Sequence, residues 1–303
     1  MIYSLYKVYP KLSNIDFEVL EIAVASISRY EYIPLEMFLE SINVSRKALE
    51  ESLERLNRLK MLVKDPSGAS RFRLTFAGLS IAALKRLASR DIVRAIGVVI
   101  GVGKESVVYI GKDSNDNYIA IKFYRVGFKS FRHFSKKRSY DAGLRGSQWL
   151  LRSIVSSERE YRIFRELSRV GVSVPQPYAR ELNAIVMEYI EGIELYRVRK
   201  LENPREILID ILDNLRIAYT KLGVIHTDLS AYNIMIKMSN GLGEKIYIFD
   251  WPQWIGRNES GANEYLLRDL RNLLRFFRNR FNIKDITLSR AYEYVTGRLS
   301  SVE

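Results

Sequence analysis

The residues best suited to chemistry lie in one stretch, 224–254, which reads VIHTDLSAYNIMIKMSNGLGEKIYIFDWPQW. It holds three oxygen-bearing side chains, Asp228, Asn233 and Asp250. Val224-Ile225 and Ile234-Met235-Ile236 read as short strands around a polar loop. Gly241 and Gly243 then turn the chain into an apolar strand, 245–249, that ends at Asp250. The spacing therefore predicts three oxygens at loop or strand ends, where they converge. Two carboxylates and a carboxamide suit Mg²⁺, a hard cation usually held by one or two carboxylates plus ligand phosphates. H-x-D-x-x-x-x-N followed by a strand-end Asp is a phosphotransfer arrangement. In it Asp228 is the base, and Asn233 and Asp250 are the metal ligands. The plainer reading is a polar hairpin with a stray Asp, and the second condition at Asp250 weighs against it.

A second set lies upstream. A strand near 92–100 runs into Gly101-Val102-Gly103-Lys104-Glu105-Ser106. Glycines between two apolar strands let the backbone approach a phosphate. Ser106 stands where a third glycine is common and offers its hydroxyl instead. After the Asn115-Asp116-Asn117 turn, the strand 118–123 carries one charge, Lys122, among apolar residues. A lone buried charge is costly unless paired. Lys122 fits a lysine that bridges phosphates and a helix glutamate; an edge-strand lysine reaching water is the alternative. The predicted helix 157–167 offers Glu160 beside its apolar face, with Glu158 as the fallback. The strand 184–190 ends where a two-lobed nucleotide-binding fold has its hinge. There the backbone groups of Glu188 and Ile190 would meet adenine.

For the whole chain, 303 residues at 47% hydrophobic and 27% charged predict two or three globular units with a sizeable core. There is no cysteine, which excludes disulfides, thiolate chemistry and Cys-based zinc sites. With His133 and His226 as the two histidines, a His-rich metal site is not expected. No run is apolar enough for a transmembrane helix, and the N-terminal residues do not resemble a secretory leader, so a cytoplasmic protein with no membrane partner is expected.

The net charge of +13 is concentrated. Residues 46–90 carry eleven Lys/Arg against four Asp/Glu, and residues 122–152 carry nine against one. Localised positive charge favours a nucleic-acid partner through counterion release. The first stretch has its own organisation. Asn14 or Asp16 caps a predicted helix to about Tyr30, and Pro34 opens a short one. Ser45 opens a third, whose Leu49, Leu53, Leu56 and Leu59 form a buried stripe opposite Arg46, Lys47, Arg55 and Arg58. Two strands, 61–64 and 71–74, are joined by Asp65-Pro66-Ser67-Gly68, and a helix follows over 76–88. Three helices and a hairpin make a winged helix, with Lys64, Arg71 and Arg73 on the wing. Ala88–Asp91 reads as a polar linker, and 125–152 as a mobile basic loop in which Ser130, Ser135 and Ser139 are candidate phosphoacceptors. Further on, Asn203-Pro204-Arg205-Glu206 starts a helix that Gly223 ends, and 264–281 is a last amphipathic helix interrupted by Asp269. Backbone N–H groups of the turn 226–228 are the expected donors to that carboxylate.

Taken together, G-V-G-K-E-S-V-V-Y at 101–109, A-I-K-F-Y-R around Lys122, M-E-Y-I-E-G at 187–192, E-L-Y-R-V-R at 194–199, H-T-D-L-S-A-Y-N at 226–233, F-D-W-P-Q at 249–253 and R-D-L-R-N at 268–272 resemble the RIO family of atypical protein kinases. The resemblance is to its second branch, which has an N-terminal winged helix, and it covers nearly the whole chain. It implies an α+β fold: a winged helix at 1–90, a kinase N-lobe at 91–190 with a mobile basic loop at about 127–150, and a C-lobe at 191–303. It implies ATP with Mg²⁺, or Mn²⁺ in its place. The ATP-binding set becomes Gly101, Val102, Gly103, Lys104, Glu105, Ser106, Val108, Lys122, Glu160, Met187, Glu188 and Ile190. Asp228 and Asp250 are catalytic, Asp250 as a possible phosphate acceptor, and Asn233 and Asp250 hold the metal. A monomer acting on small-subunit rRNA or a pre-ribosomal particle is implied as well.

The departures from ordinary protein kinases are specific. Thr227 replaces the Arg of H-R-D, Ser230 replaces a Lys, D-W-P replaces D-F-G, and A-P-E is missing. These weigh against ordinary peptide phosphorylation and for ATPase-like behaviour. Two competitors share some of the motifs. A small-molecule kinase of the aminoglycoside or choline type does not account for G-K-E-S or the winged helix. A nucleic-acid-binding regulator with a degenerate kinase fold does not account for a complete set of catalytic positions.

Overall fold

A computed structural model describes residues 5–127, 146–239 and 243–302. The chain divides into two compact units, Met1–Glu158 with Tyr178–Met187, and Arg159–Pro177 with Glu188–Glu303.

The first unit begins with α1 (Leu5–Val8), α2 (Asn14–Ser26), β1 (Ile33–Pro34), α3 (Leu35–Ser41), α4 (Arg46–Arg58), β2 (Leu62–Lys64), β3 (Arg71–Leu74) and α5 (Phe76–Ser89). The three strands form one antiparallel sheet ordered β1-β3-β2. α2 is capped by Ser13 rather than by Asn14 or Asp16. The Ser13 hydroxyl accepts the Asp16 N–H, and the Asp16 carboxylate accepts the Ser13 N–H, a reciprocal capping box. The helix ends at Ser26, short of the expected Tyr30, whose N–H turns back to the Ser26 carbonyl. α4 starts as expected, with the Ser45 hydroxyl accepting the Ala48 N–H and Leu49, Leu53 and Leu56 buried.

The basic face of α4 is smaller than its sequence predicts. Arg55 turns inward, its Nε 2.8 Å from Oδ2 of Asp16, a fully buried carboxylate that also accepts the Ser52 hydroxyl at 2.6 Å. Burial pushes the Asp16 pKa up, but the bonds from Arg55, Ser52 and Ser13 outweigh it and hold the carboxyl below its usual range. Arg55→Ala removes two-pronged donation to a buried anion and should cost about 1–3 kcal/mol, read as a lowered denaturation midpoint. Since the Asp16 pKa is lower in the folded state, this stabilisation is present above pH ~4 and is lost as pH falls through the folded value. On the wing, Arg71 pairs with Asp65 and Arg73 with Glu31. Of the seven cations expected on this surface, Lys47, Arg58 and Lys64 have no ion pair among the described residues.

Gly78, in α5, packs against the turn before β2. A Cβ there would lie 2.4 Å from the Met61 carbonyl oxygen and 2.7 Å from Leu74 Cδ1. Gly78→Ala must displace backbone, and should destabilise the protein by about 1–3 kcal/mol despite alanine's better helix propensity. A Gly78→Ala variant with a raised melting temperature would contradict this packing.

The same unit continues with β4 (Ala95–Val102), β5 (Ser106–Lys112), β6 (Tyr118–Tyr124), α6 (Gly146–Arg169), β7 (Pro177–Glu181) and β8 (Ala184–Glu188), the strands ordered β4-β5-β6-β8-β7. α6 starts at Gly146, so the predicted loop does not reach 150 or 152 and the predicted helix start at 157 is late. Two contacts explain the early start: Leu150 is buried, and the buried Ser153 hydroxyl accepts the Val126 N–H at 2.9 Å while donating to the Trp149 carbonyl. Ser130, Ser135 and Ser139 lie outside the described residues.

The polar linker is also not a separator. Leu20, Leu53, Leu79 and Ile81 of the helical part share one hydrophobic cluster with Val107, Ile121, Phe123 and Val186 of the five-stranded sheet. Polar contacts reinforce that seam. Arg86 bridges Glu21 at 2.6 Å and Glu181 at 3.0 Å. The Asn183 amide donates to the Ser80 hydroxyl and the Tyr124 carbonyl. Asp91 closes α5 in a left-handed conformation, φ 55°.

The second unit contains the rest of α6 from Arg159, then β9 (Ile193–Glu194), α7 (Pro204–Ile217), β10 (Val224–Ile225), β11 (Ile234–Ser239), β12 (Gly243–Ile248), β13 (Ile255–Gly256), α8 (Ala262–Phe281) and α9 (Leu288–Val295). Pro204 occupies the first turn of α7, but Asn203 makes no side-chain cap. A π-turn, Ala218–Leu222, ends at Gly223, whose φ of 67° lets the chain reverse into β10. β11 and β12 pair antiparallel through Ile234↔Ile248 and Ile236↔Ile246, with β9 on the far edge of β11. β10 pairs with β13. Among the described residues no helix is long and apolar enough to cross a membrane.

Candidate active site

In the first unit, the register of three strands aligns the expected nucleotide residues. Gly101 pairs with Val108, and Val108 with Lys122. Directly opposed residues of antiparallel strands share a face, so one row across the sheet reads glycine, valine, lysine. The turn between β4 and β5 is closed by the Gly103 N–H donating to the Ser106 carbonyl at 2.9 Å. The Glu105 carbonyl accepts the Arg125 N–H at 2.6 Å, tying the turn to the end of β6. Val102, Gly103 and Lys104 are exposed at its tip. Lys122 is 5% exposed, with its ammonium 5.0 Å from the Tyr124 ring centre. That is a buried cation, not an edge lysine reaching water.

In the second unit, backbone geometry brings Asp228, Asn233 and Asp250 onto adjoining loop ends. Val224-Ile225 delivers His226, which is buried. Its Nδ1 accepts the Asp228 N–H at 3.3 Å, so the proton sits on Nε2, which donates to the Phe249 carbonyl at 3.0 Å. The Asn233 amide Nδ2 donates to the Asp228 carbonyl at 2.7 Å, and the Phe249 N–H donates to the Asn233 carbonyl at 3.0 Å. Neighbours on both sides thus fix the Asp228 backbone while its side chain stays exposed. Asn233 has its NH₂ committed, which presents its amide oxygen as the ligand end.

Asp250 has φ 67° and Thr227 φ 70°, both left-handed without being glycine. Such residues cluster where surrounding structure over-determines the backbone, and the surroundings are visible. The Thr227 hydroxyl donates to the Gln253 carbonyl at 2.9 Å, and the Arg268 guanidinium donates to the Thr227 carbonyl. After Asp250, Trp251 is fully buried, its ring 4.6 Å from that of His226. The Trp251 N–H donates to Oε1 of Glu160 at 2.8 Å, and Glu160 is itself fully buried. Glu160, expected as a partner for Lys122, anchors the Asp250-Trp251 segment within the second unit. The sequence held no sign of this link across ninety-one positions. Met187 and Ile190 are buried. The Glu188 N–H, expected to face adenine, donates to the Gln176 carbonyl at 2.8 Å, and its carboxylate accepts the Gln176 N–H.

Asp269 lies beneath the Asp228 loop, 2% exposed. Burial pushes its pKa up to about 7. The Leu229 N–H, the Arg268 guanidinium and the Thr227 N–H pull it back, and Asp228 adds to the rise. Those N–H groups act on it without closing a hydrogen bond to either Oδ atom. The hydrogen bonds expected from the 226–228 turn are therefore not closed; the Thr227 and Leu229 N–H groups act on the carboxylate only from nearby. Because the folded pKa is raised, the unfolded chain loses this proton first, near pH 4, and stability falls as pH rises from about 4 to about 7. The full effect is on the order of 4 kcal/mol. Asp269→Asn should flatten that part of a denaturation-midpoint profile. An unchanged slope would mean that Asp269 is not the group responsible.

Sequence reasoning also passed over Arg268, Gln253 and the aromatic pair Tyr196–Tyr232, whose rings lie 4.3 Å apart beside the Asp228 loop. The R-D-L-R-N segment signals Arg268 by type, but its target, a backbone carbonyl forty-one positions away, is visible only in the fold.

The RIO domain family matches residues 107–290, and the Rio2 N-terminal family matches residues 9–90. This chain belongs to the RIO family. The RIO-type serine/threonine-protein kinase Rio2 of Methanocaldococcus jannaschii is 30% identical over 275 residues, covering 88% of this chain and 98% of that protein. The serine/threonine-protein kinase rio2 of Dictyostelium discoideum is 29% identical over 271 residues, 89% of this chain and 51% of that protein. The chain therefore spans about half of that relative. The crystal structure of the Rio2 kinase–ADP/Mg²⁺–phosphoaspartate complex from Chaetomium thermophilum matches with a TM-score of 0.83 at 26% identity, over 96% of this chain and 88% of that one. The α+β expectation of an N-terminal winged helix followed by a RIO kinase-like domain is met.

Proposed function

We propose that this RIO-family chain is an ATP-dependent atypical serine/threonine kinase and ATPase. The observation that carries the reading is the locked loop pair around Asp228, Asn233 and Asp250, in which backbone and imidazole bonds orient the acid, the amide oxygen and the strand-end carboxylate. In this reading ATP is bound by Gly101–Ser106, Val108, Met187, the carbonyl of Glu188, and Ile190. Lys122, with Glu160 as its carboxylate partner, orients the phosphates. Among the described residues no three carboxylate or imidazole groups cluster as a metal site. That fits a cation taking one carboxylate, one amide oxygen and the ligand's own phosphate oxygens, as Mg²⁺ does. Asn233 and Asp250 would hold it, and when bound it neutralises charge on the transferring phosphoryl group. Asp228 takes the proton of the attacking hydroxyl or water.

Asp250 has a second role in the proposal. A carboxylate oxygen of Asp250 attacks the γ-phosphorus, the bond to the β,γ-bridging oxygen breaks, ADP leaves, and an aspartyl phosphate remains. Water, deprotonated by Asp228, then releases phosphate. The Chaetomium thermophilum relative carries a phosphoaspartate, which supports the idea for this chain. Acid-quenched incubation with γ-labelled ATP should leave hydroxylamine-labile label on the wild type and none on Asp250→Asn. Label elsewhere would remove that role.

The proposal divides the chain at 1–90, 91–190 and 191–303. It places the protein in the cytoplasm as a monomer, in maturation of the small ribosomal subunit, with rRNA held by the winged helix and the basic segment that follows Arg125. Lys47, Arg58 and Lys64, which form no ion pair among the described residues, support backbone contact on the winged helix. ATP hydrolysis measured with and without small-subunit rRNA tests this: turnover that responds to rRNA supports it, and turnover indifferent to rRNA at low salt does not. A small-molecule kinase would instead respond to aminoglycosides or choline, and a degenerate regulator would bind rRNA without turnover.

A further inference from the structure

Beside the Asp228 loop, entirely within the second unit, lies an open pocket of about 520 Å³ that the mechanism leaves unused. Ser230 and Tyr232 form one wall, and Asn272, Arg275, Phe276 and Arg280 of α8 the other. Tyr232 is 63% exposed and its ring is backed by that of Tyr196 at 4.3 Å, which leaves one aromatic face open. The guanidinium of exposed Arg197 sits 5.3 Å from the Tyr196 ring, and its Nε donates to the Tyr196 hydroxyl. The C-terminal half of α8 reads RNLLRFFRNRF from Arg271 and contains no carboxylate. Arg271, Arg275, Arg278 and Arg280 are all exposed, and none forms an ion pair among the described residues. Arg275 donates to the Asn272 amide oxygen at 3.1 Å and Arg280 to the Val198 carbonyl at 3.0 Å, which holds both at the pocket edge.

A backed, open aromatic face beside arginines that form no ion pair among the described residues is the combination that binds single strands: bases stack on the ring while cations follow the backbone. An acidic peptide would use the arginines but leave the tyrosine platform and the pocket amide idle. A duplex cannot present an unstacked base to Tyr232. We propose that this pocket binds a short single-stranded RNA segment, with a base on Tyr232 and phosphates on Arg275 and Arg280. The choice of RNA rests on the proposed rRNA partner; the site itself does not require the winged helix.

The test is binding of the full chain to a fluorescent ten-nucleotide RNA and to an RNA duplex, at several salt concentrations. Tyr232→Ala should weaken single-strand binding about tenfold, and Tyr232→Phe should restore it. Arg275→Ala with Arg280→Ala should weaken it and reduce the salt slope by about 1.4, at roughly 0.7 per phosphate. Both arginines are on an exposed helix face, so this variant keeps the test valid even if Tyr232→Ala unfolds. Lys47→Ala with Arg58→Ala and Lys64→Ala should weaken duplex binding and leave the single strand in place. Single-strand affinity unchanged in the pocket variants, or lost only in the winged-helix variant, would overturn the pocket. Displacement of the RNA by a poly-glutamate peptide at equal charge would assign the pocket to a polypeptide and overturn it too. Loss of duplex binding alone bears on the winged-helix proposal, so the two readings fail separately.

Discussion

Asp228→Ala should lower ATP turnover by about 10²–10⁴-fold, the range of a lost general base, while the ATP dissociation constant stays within about twofold. The split follows from how the loop is held. The Asp228 backbone is fixed by its N–H to His226 Nδ1 and by its carbonyl to the Asn233 amide, and neither bond uses the carboxylate. Alanine therefore removes the base and leaves the loop. The carboxylate is exposed, so its loss opens no cavity. Parallel loss of binding and turnover would mean that Asp228 shapes the site rather than serving the chemistry.

Asp250→Asn should be as severe with a different signature. Turnover should fall by about 10³-fold or more, and addition of Mg²⁺ should no longer tighten ATP binding. Asparagine is the informative substitution because it tolerates the left-handed backbone at φ 67°. Asp250→Ala would also lose turnover but adds backbone strain of about 1 kcal/mol. The Trp251 N–H bond to Glu160 and the buried Trp251 ring keep the segment in place in either variant. If Asp250→Asn bound ATP with an undiminished Mg²⁺ effect, the metal would be held elsewhere.

Local chemistry explains which features were legible beforehand. The start of α4 at Ser45, the turn at Asp65–Gly68, the helix stop at Gly223 and the strand that stops at Ile248, two residues before Asp250, are each written in a few adjacent residues. What stayed hidden was long-range pairing. Arg55 reads as one more cation on a basic face until Asp16, thirty-nine positions away, turns out to be buried beneath it. Glu160 reads as a partner for one lysine, yet it also receives the Trp251 N–H. The start of α6 depended on Ser153 meeting Val126 across the basic segment, and polar composition alone pointed to a loop there. α1 and α9, of four and eight residues, are too short for their periodicity to stand out. The left-handed turns at Thr227 and Asp250 carry no glycine to announce them.

Phosphoryl transfer by the loop pair of the second unit is the central claim. Steady-state phosphate release by the full chain, followed with Mg²⁺ and with EDTA alongside Asp228→Ala and Asp250→Asn, tests it most directly. The predicted result is phosphate from the wild type in Mg²⁺, none above background in EDTA or from Asp250→Asn, and about 10²-fold less or lower from Asp228→Ala, with ATP bound in the wild-type and Asp228→Ala samples. Phosphate released by Asp228→Ala at the wild-type rate would contradict it.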